Sequence, residues 1–263
     1  MDITEIKKEL QKINQQKERK SAKKVDFDKI FWKPPVGKKV IRVVPYKDNP
    51  NNPFVKAYFY YGIGNKVMIS PITFDEKDPI QNFTKKLRET NEKENWSLAN
   101  KLSPKLRIFA PVIVRGEEDK GVRWWQFGKT VYTDFLSMAD DEDIGDYTDI
   151  QEGRDFTIDT IGPELTGTQY NKSSIRPKTK TTPLSDNEDQ INKWLDNQPE
   201  PLEGYTRFTF EEMKENLQKW LTPEEDDEED VEESVKESEV KTHNPNPLEK
   251  KKDPQKEFND LFD

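Results

Sequence analysis

The sequence predicts a mixed α+β protein: a strand-rich middle with inserted helices, an N-terminal helix and an acidic C-terminal tail. Three observations predict it. Apolar and polar residues alternate in four runs, KKVIRVVPY, VKAYFYY, KLRIFAPVIV and VRWWQF, which is strand spacing. Apolar residues three and four apart recur between and after these runs, which is helix spacing. Composition then sets the ends apart from the middle. With 31% hydrophobic and 36% charged residues, part of the chain lacks the apolar surface to pack.

The elements follow in order. Ile3, Ile6, Leu10 and Ile13 form a narrow apolar stripe over residues 2–20, and Asp2 with Glu5 resembles a capping box. KERKSAKK follows, and residues 1–25 carry a net +4. That segment suits either an amphipathic helix packed on its own domain or an arm that docks on a neighbouring copy and touches phosphate. Phe31, Trp32, Pro34, Pro35 and Gly37 form a turn-rich entry to a strand over 38–46. Strands are predicted over 54–61 and 66–70, helices within 80–102, and strands over 105–115 and 122–127 around the turn RGEEDKG. Val131, Phe135 and Met138 give 129–139 helical spacing, and RDFTIDTI at 154–161 reads as a strand. Residues 162–190 read as a long polar loop. INKWLDN and FTFEEMKENLQKWL read as two closing helices. From Pro223 the composition predicts a disordered acidic tail, with a net charge of −10 over 224–263.

Several function classes are excluded or disfavoured. There is no cysteine, so disulfides, thiolate zinc sites and cysteine nucleophiles are absent. The only histidine, His243, lies in a Pro/Asn/Lys-rich stretch, which argues against imidazole base chemistry. No phosphate-binding loop or dinucleotide fingerprint occurs. DDEDIGD at 140–146 offers carboxylates for Mg²⁺, but no second acidic motif sits on a facing strand; a metal-dependent nuclease is the weakest reading. No apolar run approaches the ~18 residues of a membrane span, and a soluble, cytoplasmic, non-enzymatic protein is expected.

The four strand-like runs share one device. Cations and rings alternate with apolar residues: Arg42/Tyr46, Lys56/Tyr58/Tyr60, Arg107/Phe109 and Arg123/Trp125/Phe127 against Ile41/Val43, Ala57/Phe59, Leu106/Ile108 and Val122/Trp124. Residues two apart share a strand face. The expectation is one oily face and one face offering charge and flat rings, which suits single-stranded nucleic acid. The middle of the chain carries only −3 overall, so such a site must be a local stripe. In the tail, Glu224 to Asp230 are seven successive acids that mimic a polyanion. Phe258, Leu261 and Phe262 at i, i+3, i+4 would present one apolar helix face to a partner. An acidic scaffold or chaperone for basic replication proteins is the rival reading of that tail.

VIRVVP at 40–45, NWSLA at 95–99, FAPVIV at 109–114 and WQFGKTVY at 125–132, in this order between a basic arm and an acidic tail, carry a resemblance. The chain resembles the gene 32-type single-stranded DNA-binding proteins of T-even-like phages over roughly residues 17–221, plus the tail chemistry. The resemblance implies an OB-fold-like β-barrel core over 26–222 with an added helical and hairpin subdomain. It also implies an N-terminal cooperativity segment over 1–25 and a docking tail over 223–263. Its implied function is sequence-independent, cooperative coating of single-stranded DNA in phage replication, recombination and repair, inside the host cytoplasm. The implied partners are DNA, other copies of itself, and replication and recombination proteins recruited by the tail, with no membrane.

Residue by residue, the resemblance places a groove cation at Arg42, stacking rings at Trp96, Phe109, Trp125 and Tyr170, and a basic run at Lys105 and Arg107. With the strand reading, Lys56, Tyr58, Tyr60, Arg123 and Lys129 complete the candidate DNA site. The cooperativity motif is approximated by Arg19, Lys20 and Ser21, interrupted by Glu18 just before it. Phe258, Leu261 and Phe262 are the docking residues. The family's relatives hold a structural zinc with one His and three Cys. Here the His position resembles Tyr60 or Tyr61, and the Cys-Pro-x-Cys segment has become DPIQ at 78–81. No zinc or other cofactor is therefore expected, with Ile69, Ile72, Phe74, Ile80 and Phe83 filling the metal's place.

Overall fold

The computed structural model describes residues 26–63, 66–222 and 254–262 of the 263-residue chain. The expected N-terminal helix, the Arg19-Lys20-Ser21 motif and the acid run Glu224–Asp230 lie outside the described residues. In chain order the elements are α1 (Phe27–Ile30), β1 (Phe31–Trp32), β2 (Gly37–Val43), β3 (Val55–Ile63) and β4 (Lys66–Ile69). There follow α2 (Pro79–Glu89), α3 (Lys93–Lys101), β5 (Lys105–Val114), β6 (Arg123–Phe127) and α4 (Lys129–Ala139). The rest are β7 (Arg154–Ile161), α5 (Pro163–Thr166), β8 (Lys172–Thr181), α6 (Glu188–Asp196), α7 (Phe210–Leu221) and α8 (Pro254–Phe262). The mixed α+β class is as the sequence predicts. The stretch expected as a polar loop at 162–190 instead contains the ten-residue strand β8.

The chain divides into two compact units, each assembled from three separated segments. Residues 26–222, expected as one core with an addition, are shared between them. Unit one comprises residues 1–51, 111–125 and 148–204; unit two comprises 52–110, 126–147 and 205–263.

In unit one, β2 pairs antiparallel with the second half of β5 on one side and with β7 on the other. β7 continues into β8 as an antiparallel pair, and β1 runs parallel to the start of β6. Ile41, Val43, Phe156 and Ile158 fill one side of this framework. The side bearing Arg42 is covered as well: Val44, Ile113, Val122, Leu184, Ile191 and Trp194 form a second apolar cluster there. Two-sided burial decides the fate of Arg42 in this unit.

In unit two, β3 pairs antiparallel with β4 and with the first half of β5. Ile80, Phe83 and Leu87 of α2, Leu98 and Ala99 of α3, and Met213, Leu217 and Leu221 of α7 form one apolar cluster with Tyr60, Ile63 and Met68. In α2 and α7 the spacings of three and four put these residues on single helix faces, and each fully buried large side chain contributes ~1.5–3 kcal/mol. α2 starts where Asp78 accepts from the backbone N–H groups of Ile80 and Gln81, with Pro79 in the first turn. α7 starts with a capping box between Thr209 and Glu212.

Candidate nucleic-acid interface

The register of β3 on β5 settles which side chains share a face in unit two. Ala57 lies opposite Arg107, Phe59 opposite Lys105, and Lys56 opposite Ile108. Residues directly opposite point the same way. Arg107, Phe109 and Lys105 therefore share a face with Ala57, Phe59 and Tyr61, while Lys56, Tyr58 and Tyr60 lie on the other face with Leu106 and Ile108. The expectation of one common cationic face is corrected here: the two runs meet one residue out of step, and Phe109 and Tyr60 of the expected outer set are buried. A single-residue offset turns every side chain over.

Each face still carries a cation against a ring. The Arg107 guanidinium lies 5.3 Å from the centre of the Tyr61 ring. Beneath them Tyr205 packs on Phe59 at 4.8 Å and on Phe109 at 6.1 Å. Burial, with a smaller contribution from Tyr61, pushes the Tyr205 hydroxyl well above the usual tyrosine range; its O–H reaches Gln126 Oε1 at 3.4 Å. Phe109 is fully buried, so it is the floor beneath Arg107 and not a ring offered to a base. On the other face Lys56 is exposed and its Nζ stands 5.1 Å from the centre of the Tyr132 ring. Tyr58 is half-buried beside it in the strand, and Lys105 and Lys129 are exposed. Trp96, on α3, is 47% exposed.

Unit one behaves differently. Arg42 has 0% exposure. Its Nε donates to Asp155 Oδ1 at 2.7 Å, and its Nη2 donates to the Thr182 carbonyl at 2.8 Å and to Thr182 Oγ1 at 2.6 Å. Arg115 grips the same Asp155 carboxylate with two N–H groups at 3.0 Å. Arg123 is 5% exposed and donates to Glu117 Oε2 at 2.8 Å. Hydrogen bonds from Lys120 first, then Arg123 and, more weakly, Lys39 hold the Glu117 carboxyl down at about 2. Trp125 is 2% exposed and stands edge-on to Trp32, with ring centres 5.8 Å apart. The expected contacts of Arg42, Arg123, Trp125 and Phe109 with DNA are therefore corrected: all four are buried structural side chains. Tyr60 joins them. Its hydroxyl donates to Asp78 Oδ2 at 2.9 Å inside the apolar cluster of unit two.

β8 supplies what the sequence reading missed. Lys172, Ser174, Arg176, Lys178 and Lys180 are all exposed, while Ser173, Ile175 and Pro177 between them are half-buried. Among the described residues β8 pairs only with β7. It is an edge strand with a cationic outer face, which blunts edge-to-edge pairing and admits a proline. Tyr170, just before the strand, is 55% exposed. The signal was the even-numbered spacing of those four cations; Pro177 and the lack of apolar partners concealed it.

Paired and unpaired cations divide along the same line. Arg42, Arg115, Arg123, Lys39 and Lys120 are each held by a carboxylate. Among the described residues, no carboxylate lies within ion-pair distance of Lys56, Lys105, Arg107, Lys172, Arg176, Lys178 or Lys180. A cation already neutralised gains little from a phosphate, whereas one left beside a ring offers charge and a stacking surface together.

The family's metal position has its own chemistry here. Asp78 Oδ2 accepts from Tyr60 and from the Ser70 hydroxyl, while Oδ1 accepts from the Ile80 and Gln81 backbone. Two of the positions matched to zinc ligands, Tyr60 and Asp78, thus meet directly, as a hydroxyl and a carboxylate whose lone pairs are engaged. Among the described residues, no three His, Cys, Asp or Glu side chains converge. This donor set does not fit zinc. Ile69, Ile80 and Phe83 are buried as expected, but Ile72 and Phe74 stay partly exposed, and the Arg207 guanidinium sits 3.6 Å from the Phe74 ring centre. A polar cluster, rather than apolar side chains alone, occupies the place. The acids of 140–149 serve turns: Asp141 accepts from the Asp143 N–H, and Asp149 from those of Gln151 and Glu152.

Exposed, carboxylate-free cations set beside rings on an α+β framework define a nucleic-acid-binding class of surface. Residues 36–222 match the family described as gp32 DNA binding protein like, and the chain belongs to that family. It is accordingly a DNA-binding protein of the gene 32 type. No curated protein matches the chain. Among the described residues, no helix is long and apolar enough to cross a membrane.

Proposed function

We propose that the protein coats single-stranded DNA without regard to sequence, binding cooperatively during phage replication, recombination and repair. The observation that carries this reading is the Arg107–Tyr61 pair, a half-exposed guanidinium held by a ring instead of a carboxylate. Exposed Lys105 adds charge on the same strand face, while Lys56 over Tyr132 on the other face, and exposed Lys129, Trp96, Tyr170 and the β8 cations, are further contacts in their own units. Phosphates meet the cations; unstacked bases meet Tyr61, Trp96 and Tyr170. The protein works without zinc and without catalysis, on an OB-like body, with Arg19, Lys20 and Ser21 joining neighbouring copies.

The test is a titration with oligo(dT) and with duplex DNA, followed by tryptophan fluorescence. Of the six tryptophans, Trp32, Trp124, Trp125 and Trp194 are buried and Trp220 is half-buried against the α2/α7 cluster, so quenching reports largely on Trp96. Binding to oligo(dT) that is tighter than to duplex, with quenching abolished in Trp96→Phe, is expected. Absence of binding to oligo(dT) would leave the acidic-scaffold reading in its place.

A further inference from the structure

The C-terminal helix lies on unit two itself. Phe258 is 3% exposed, its ring edge-on to Phe83 of α2 at 5.9 Å. Phe262 stands 4.8 Å from Phe258 and 6.2 Å from Phe210 of α7. Lys214 Nζ lies 4.9 Å from the centre of the Phe262 ring and donates to the Phe262 carbonyl at 3.3 Å. Leu261 packs on the same cluster, while Asn259 and Asp260 face outward. A Phe-x-x-Leu-Phe face thus fills a groove whose walls are α2 and α7, the helix-in-groove mode of peptide recognition. A nine-residue helix is too short to persist alone in water, so its form depends on the groove.

From these contacts we infer that the α2/α7 groove is a receptor for this helix, and that the helix of a second copy takes it when copies are crowded. The chain length argues for exchange. Residues 223–253 connect α7 to α8, and a stretch of that length reaches roughly 100 Å when extended. The groove lies alongside α7, whose twelve residues span only about 18 Å. A flexible tether of this length has an r.m.s. reach of roughly 30 Å, beyond its own groove, so a neighbour's helix held within that distance has a comparable effective concentration and competes. The inference draws on the coating function only for the circumstance that crowds copies together, and its test contains no DNA.

The test uses full-length variants and a fluorescein-labelled peptide of residues 250–263. The chain carrying Phe258→Ala and Phe262→Ala has an open groove and should bind the peptide at least tenfold more tightly than the native chain. A peptide with the same two substitutions should not bind, and adding Lys214→Glu to the receptor should weaken binding. A second full-length variant, Phe210→Ala with Lys214→Glu, keeps its helix but has a damaged groove. Mixed with the open-groove chain, it should form a 1:1 complex in sedimentation that neither variant forms alone. Peptide affinity equal for native and open-groove chains would overturn the receptor. Peptide binding with no mixed complex above the peptide's Kd would overturn exchange between copies.

Discussion

A guanidinium sealed from water, such as that of Arg42, keeps its charge only if its donors are engaged. Burial pulls its pKa below the usual arginine value, and Asp155 opposes the shift. Removing Arg42 leaves Asp155 to Arg115, but it orphans the acceptors of Thr182 and empties the volume of a packed side chain, a loss of about 1–3 kcal/mol. Arg42→Ala should lower stability in urea denaturation by that order, while the folded variant binds short oligo(dT) within twofold of the native protein. Glu117 permits a pH test. Its carboxyl titrates near 2 in the folded chain, below the ordinary glutamate value of 4.5, so its ion pairs stabilise fully above about 4.5. That contribution disappears as pH falls through about 2. The native chain should therefore exceed Glu117→Gln in stability at pH 6, and the difference should close between about pH 4.5 and 2 in a series of urea titrations. The sequence displays the alternation of these residues but not the segments that cover them. Arg42 has the spacing of an exposed cation, and the groups that bury it come from Asp149 and Thr182, more than a hundred residues along the chain.

At the scale of elements, pairing decides what alternation leaves open. The interior partners Ile41, Val43, Ala57, Phe59, Ile108, Val122 and Trp124 are buried and Leu106 is half-buried, so most of the oily half of each strand was legible. Which strand's other half meets which was not, because a run of alternating residues does not encode its register with β5. The helices were legible from their spacing, as with Val131 and Phe135, the buried residues of α4. β8 was hidden because an edge strand facing water needs no apolar alternation. Its role makes a separable prediction. Replacing Lys172, Arg176, Lys178 and Lys180 with Gln should leave stability unchanged, since all four are exposed. The slope of log affinity against log salt for oligo(dT) should become shallower by about 0.7 for each phosphate no longer neutralised. An unchanged slope would remove β8 from the interface.

For the whole molecule, a chain of net charge −9 binds a polyanion only through local arrangement. Carboxylates neutralise Arg42, Arg115 and Arg123 in unit one, while the cations beside Tyr61, beside Tyr132 and along β8 are left available. The tail adds a second level, since its helix is held by α2 and α7, elements that order without any metal ligand cluster among the described residues. Binding energy should then reside in few side chains, each ring worth ~1–3 kcal/mol and each neutralised phosphate visible in the salt dependence. The most direct measurement is the anisotropy of labelled oligo(dT) titrated with the native chain and with Lys105→Ala/Arg107→Ala, two cations of one strand face, at two salt concentrations. The expected result is an affinity about tenfold or more weaker for the variant and a salt slope shallower by about 1.4, with circular dichroism unchanged. Equal affinity and equal slope in a folded variant would contradict a DNA site built on these two cations.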